Sequence, residues 1–106
     1  MVIRQARICM VALLATAVAV PMFAQSGEST FKSKCAMCHG QDGLATSSMS
    51  KMLKVPSVKS PDFRKLSESE MVADTTDGKA KMPSYKGKLT DAQIKEVVAY
   101  MRTLEK

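Results

Sequence analysis

The clearest periodic pattern lies at the C-terminal end of the chain. In "LTDAQIKEVVAYMRTLEK" the residues Ile94, Val97, Val98, Met101 and Leu104 recur three or four apart, which places them on one stripe of an α-helix. Thr90 and Gln93 ahead of them have the spacing of a capping box. A second capping box, Ser67 and Glu70, opens "LSESEMVADTTDG", and Gly78 stands where that helix would stop. Near the start, "GESTFKSKCAMC" carries Phe31, Cys35 and Cys38 at helical spacing with lysines opposite. It predicts a short amphipathic helix ending near His39 and Gly40.

Between these segments the pattern breaks down. "HGQDGLATSSMS" is glycine- and serine-rich and reads as a loop, and "KMLKVPSVKSPDF" is interrupted by Pro56 and Pro61. "KAKMPSYKGK" has no period and reads as an ordered loop. No segment alternates apolar and polar residues over a strand's length. The expected domain is all-α, three to four short helices joined by long loops, and loops of that length in a small domain usually wrap something.

The first 24 residues are set apart from this pattern. Arg4 and Arg7 precede an apolar run from Ile8 to Ala24, and the chain then turns polar at "QSGEST". That is the layout of a secretory signal peptide, with cleavage after 24 or 26, and it implies export to the periplasm. An uncleaved leader would instead anchor the chain to a membrane. Cleavage after Ala24 leaves residues 25–106 as one domain of 82 residues. A core that small usually needs a staple, metal or cofactor. Two cysteines remain after the leader, too few for a disulfide framework.

Without Arg4 and Arg7, the 16 basic residues of the sequence become 14 against 10 acids. The excess is modest and dispersed, with no arginine cluster and no interleaved aromatics. This argues against nucleic acid as a partner and for an acidic protein surface.

The chemistry concentrates in "CAMCHG", which holds both remaining cysteines and the only histidine. A thioredoxin-like dithiol would need a strand before the motif, and none is expected. A structural zinc site would need a second pair of ligands, and no further cysteine or histidine follows. Covalent haem attachment fits: C-x-x-C-H is its pattern, and on a helix Cys35 and Cys38 fall three apart on one face with His39 four from Cys35, so two thioether links and an axial imidazole can meet one flat ring.

A haem iron held by histidine on one side commonly takes a methionine sulfur on the other. The exported part has Met37, Met49, Met52, Met71, Met82 and Met101. Met71 and Met101 sit at helical core positions, Met37 points away from the cysteine face, and Met49 and Met52 flank a loop as packing residues. Met82 precedes Pro83, lies in a loop, and follows His39 by 43 residues. It is the candidate ligand, with Met52 and then Met49 behind it.

On these residues the chain resembles a small single-haem class I c-type cytochrome of the bacterial kind. "GESTF", "CAMCHGQDG" and "DGKAKMPSYKGKLTDAQIKEVVAYMRTL" match that family's first helix, attachment site, ligand loop and last helix. The resemblance implies the cytochrome c fold, with Gly27 and Phe31 crossing the final helix near Val97 and Tyr100. It also implies a carbonyl from Pro56 or Pro61 on the far nitrogen of His39. With no tryptophan in the chain, contacts to the haem propionates fall to Tyr85, Arg64, lysines or backbone.

The implied function is one-electron transfer between redox proteins by one covalent haem c, with no enzymatic activity and no small-molecule substrate. An apolar pocket of Phe31, Leu53, Phe63 and Ile94 would favour the ferrous form, and Lys79, Lys81, Lys86 and Lys88 would steer acidic partner faces. The rival readings are a haem subunit held on a larger redox enzyme and a peroxidase or gas-sensing domain with a displaceable methionine. The latter would want a distal base, and the one histidine is already used.

Overall fold

The structure is a computed structural model that describes residues 22–106, with side chains described from Ser26 onward. The expected signal peptide therefore lies, but for its last three residues, outside the described residues.

The order of elements is α1 (Met22–Thr30), a π-turn (Phe31–Cys35), α2 (Ala36–His39), α3 (Ser48–Met52), α4 (Pro61–Arg64), α5 (Glu68–Asp77) and α6 (Asp91–Leu104). The described residues contain no strand; two isolated bridges, Lys79 with Met82 and Lys86 with Leu89, close turns in the loop before α6. The all-α expectation holds, but the number of segments does not. The run from Met22 to His39 is one helical rod with a π-turn inside it, in which the Ala36 N–H bonds the Phe31 carbonyl. Two single-turn helices, α3 and α4, occupy stretches expected to be irregular. Each is started by a serine whose hydroxyl accepts a backbone N–H three residues on, Ser47 from Ser50 and Ser60 from Phe63.

Both expected capping boxes form in full. The Ser67 and Thr90 hydroxyls accept the N–H of Glu70 and Gln93, whose side chains return to the cap N–H groups. The stripe on α6 is buried at Ile94, Val97, Val98 and Met101. Against it pack Phe31, Val58, Phe63 and Met71 in one cluster with Cys35. Phe31 is fully buried, worth about 2–3 kcal/mol for such a side chain, and its ring stands 5.4 Å from that of Tyr100.

The crossing of α1 over α6 is made possible by Gly27. A Cβ there would lie 2.3 Å from the Glu96 carbonyl oxygen and 3.1 Å from the Tyr100 Cβ. Both residues expected to cross the last helix thus do so. The crossing brings the two ends of the domain together and leaves the π-turn and α2, the segment after α3 and the loop after α5 to surround a cleft.

Candidate functional site: a cleft between the paired cysteines and the Met82 loop

The cleft has a volume of about 430 Å³ and is lined by Cys35, Cys38 and His39 from the rod, Leu53 to Pro56 after α3, and Lys79 to Pro83 with Tyr85 from the loop after α5. Its size falls in the ~300–1,000 Å³ range of cofactor pockets. Both cysteines are free thiols, Cys35 buried and Cys38 half-buried. Burial and the neighbouring Cys38 push the Cys35 thiol up to about 11, so at neutral pH it stays protonated.

His39 ends α2. Burial holds its imidazole below the ordinary value, favouring the neutral ring, which is the form that donates to a metal. Its Nδ1 is buried with no hydrogen-bond partner. The carbonyl expected on this ring from Pro56 or Pro61 is thus not in place. Pro61 stands at the first turn of α4, where its carbonyl accepts the Lys65 N–H at 3.1 Å; Pro56 lines the cleft.

Met82 is half-buried and faces the same cleft. His39 and Met82 also share a recess of about 40 Å³ with Phe63, Met71, Asp74, Thr75 and Met101. The other methionines sort as the sequence suggested for the core pair: Met71 and Met101 are buried, while Met37, Met49 and Met52 are exposed. The expectation that Met49 and Met52 serve packing is not met, and Met37 contributes to the cleft rim.

Met82 is held by a tight turn in which the Lys79 and Met82 backbones bond one another in both directions, at 2.9 and 3.1 Å. Gly78 makes that turn possible: its φ is +80°, and a Cβ would come within 2.9 Å of the Met82 carbonyl oxygen and of the Ser84 nitrogen. The Ser84 hydroxyl and the Tyr85 and Lys86 N–H groups then tie the loop to the Thr75 and Thr76 carbonyls at the end of α5.

On the other side, the end of α2 is fixed by groups the sequence did not reveal. Ser50 on α3 is fully buried. Its hydroxyl donates to the Cys38 carbonyl and sits 2.8 Å from the Ser47 hydroxyl. The Ala45 N–H takes the His39 carbonyl at 3.0 Å. These bonds satisfy carbonyls that a helix C-terminus leaves open and fix the peptide from which the imidazole projects. The only sequence signal was the Ser47-to-Ser50 cap spacing, hidden in a serine run.

Of the expected apolar lining, Leu53 lines the cleft and Phe63 the recess, while Phe31 and Ile94 are buried away from both. Lys79 and Lys81 line the cleft together with Lys34 and Lys54, which sequence reasoning missed; Lys86 and Lys88 do not line it. Lys79 is within 3.7 Å of Asp74. Arg64 is directed away from the cleft and donates to the Glu105 carbonyl at 2.9 Å.

Among the described residues no three His, Cys, Asp or Glu side chains gather as a metal site, against a zinc centre, and with no strand a thioredoxin-like dithiol lacks its scaffold. Haem c fits: two free thiols, one neutral imidazole and one thioether converge on a cofactor-sized cleft.

Helices enclosing such a cleft define a small c-type cytochrome, and the comparisons agree. Residues 23–101 match the family described as cytochrome C oxidase, cbb3-type, subunit III. The chain is 35% identical over 75 residues to cytochrome c6 of Synechocystis sp., a match that spans 71% of this chain and 60% of that protein. It is 34% identical over 76 residues to cytochrome c6 of Synechococcus elongatus, spanning 72% and 84%. With cytochrome c6 of Leptolyngbya boryana it shares 35% identity over 78 residues, spanning 74% and 88%. The chain belongs to the c-type cytochrome family.

Proposed function

We propose that the protein is a periplasmic one-electron carrier holding a single haem c, tethered through Cys35 and Cys38, with His39 and Met82 as the two axial ligands. The observation that carries this reading is the convergence of all four side chains on one cleft, with His39 and Met82 sharing the recess as well. Bound there, the haem supplies a reversible one-electron change at its iron.

The chain's own contribution is positional. The thiols stand three residues apart on one turn of helix, where both can form thioethers to the same ring. Burial keeps His39 neutral, and the bonds from Ser50 and Ala45 hold the end of its helix. Leu53, Val55 and Pro56 form one apolar side of the cleft and limit water near the iron, which favours the less charged ferrous form.

Lys34, Lys54, Lys79 and Lys81 place positive charge around the opening. Such a rim speeds docking of redox proteins with acidic faces and makes it salt-sensitive. Held by both His39 and Met82, the iron would exchange electrons and offer no open position to a substrate.

The test is an absorption spectrum of the protein exported to a periplasm, native and denatured. Covalent haem persists on denaturation, whereas sulfur ligation shows only in the native state. A colourless protein with two alkylatable thiols would refute the attachment. A second reading, a haem subunit held on a larger redox enzyme, is favoured by the matched family's description as an oxidase subunit; co-purification of a stoichiometric larger complex would select it over the free carrier.

A further inference from the structure

One hydrogen bond at the cleft has no role in attaching or ligating the haem. The Tyr85 hydroxyl donates to the Lys34 carbonyl at 3.0 Å, across 51 residues. Lys34 lies in the π-turn, directly before Cys35. Tyr85 lies three residues after Met82, and both it and Lys34 line the cleft.

The position matters because of what else holds the loop. The bonds from Ser84, Tyr85 and Lys86 to Thr75 and Thr76 all tie it to α5. Among the hydrogen bonds of the described residues, the one from Tyr85 to Lys34 joins the Met82 loop to the rod that carries Cys35, Cys38 and His39. A π-turn interrupts the regular ladder of a helix, and such turns are frequent at functional sites; here its carbonyl receives a donor from across the cleft.

We propose that Tyr85 is a positioning residue that latches the ligand loop against the haem-attachment helix and so sets how readily Met82 gives way to an outside ligand. This rests on the reading of Met82 as an axial ligand. Opening the loop breaks the latch, so the open state is rarer with the hydroxyl than without it. An external ligand that binds only the open state then has an apparent dissociation constant raised by the closed-to-open ratio.

Tyr85→Phe keeps the ring and removes the donor. The bond lies at an exposed position, so its loss is that of a single net hydrogen bond, about five-fold in the open population. The probe is imidazole, titrated into the ferric holoprotein and followed by absorption.

Tyr85→Phe should retain the sulfur-ligated spectrum and bind imidazole about five-fold more tightly than wild type. Met82→Ala should bind it more tightly still, since no loop ligand competes. Adding Tyr85→Phe to Met82→Ala should change nothing further, because the latch acts through the methionine. Arg64→Ala, which loses a bond remote from the cleft, should lower the melting temperature without altering imidazole affinity.

Imidazole affinity unchanged in Tyr85→Phe, with Met82→Ala tight, would overturn the latch and leave the ligand assignment standing. An equal shift in the Met82→Ala background would also overturn it. Equal affinity in wild type and Met82→Ala would instead overturn the ligand assignment.

Discussion

Replacing Gly78 by alanine tests how the loop geometry holds Met82. Gly78 has φ +80° and ψ 159°, a region open essentially to glycine alone, where another residue costs about 1–3 kcal/mol. The added methyl would also meet backbone on three sides, at 2.9 Å from the Met82 oxygen, 2.9 Å from the Ser84 nitrogen and 3.2 Å from the Pro83 carbonyl carbon. Backbone cannot rotate aside as a side chain can, and overpacking of this kind costs about 1–3 kcal/mol more. Taking about 3 kcal/mol in all, the closed-to-open ratio of the loop should fall roughly 150-fold at the tenfold per 1.4 kcal/mol of an equilibrium constant. If the strain falls on the whole fold instead, the melting temperature should drop by about 12–24 °C for a domain of this size. Gly87→Ala is the control: its φ is +79°, yet a Cβ there would meet nothing within 4 Å, so it carries positive-φ strain without the collision. Absorption spectra and thermal melts of both ferric holoproteins give the comparison. The reasoning fails if Gly78→Ala is no worse than Gly87→Ala in both readouts.

Three further outcomes are expected. Met82→Ala should keep the covalent haem but lower the reduction potential and open the iron to added ligands; an unchanged potential in redox titration would move the ligand to another methionine. Ser50→Ala should leave the Cys38 carbonyl without its donor and destabilise the protein by about 1–3 kcal/mol, with Ser50→Thr milder than Ser50→Ala; chemical denaturation reads both, and a neutral Ser50→Ala would remove the assigned role. Cys35→Ser combined with Cys38→Ser should give a chain without attached haem that is poorly folded by circular dichroism, because so small a core depends on its cofactor; a cooperative melt near that of the holoprotein would contradict this.

What the sequence made legible was what short spacing carries. Two capping boxes need only a hydroxyl and a carboxamide or carboxylate three residues apart, and both form at Ser67 and Thr90. The stripe on α6 buries Ile94, Val97, Val98 and Met101, four of the five residues its period selects. The C-x-x-C-H motif and Met82 were legible as types, and the fold brings them to one cleft. The π-turn was not, because Phe31 and Cys35 are four apart and suit a regular helix equally well. Nor was Ser50, whose partner lies 12 residues away, in a run where several serines compete for the role. Lys34 and Lys54 escaped for the same reason: placing them at the cleft requires the path of the chain, whereas Lys79 and Lys81 flank Met82 directly. Arg64, one of several residues the resemblance offered to the propionates, donates instead to the Glu105 carbonyl, a partner that charge alone does not select.

Were the leader cleaved as its sequence leads one to expect, the contact of Gly27 with α6 would give the choice of cut a bearing on the tertiary fold. Removal of 24 residues would leave Gln25 as the new amino terminus, two positions ahead of the place where the helices touch. Removal of 26 would make Gly27, the residue whose missing side chain admits the Glu96 carbonyl, the charged terminus itself. The two processed forms would therefore differ in how the outermost clasp of the domain is fastened.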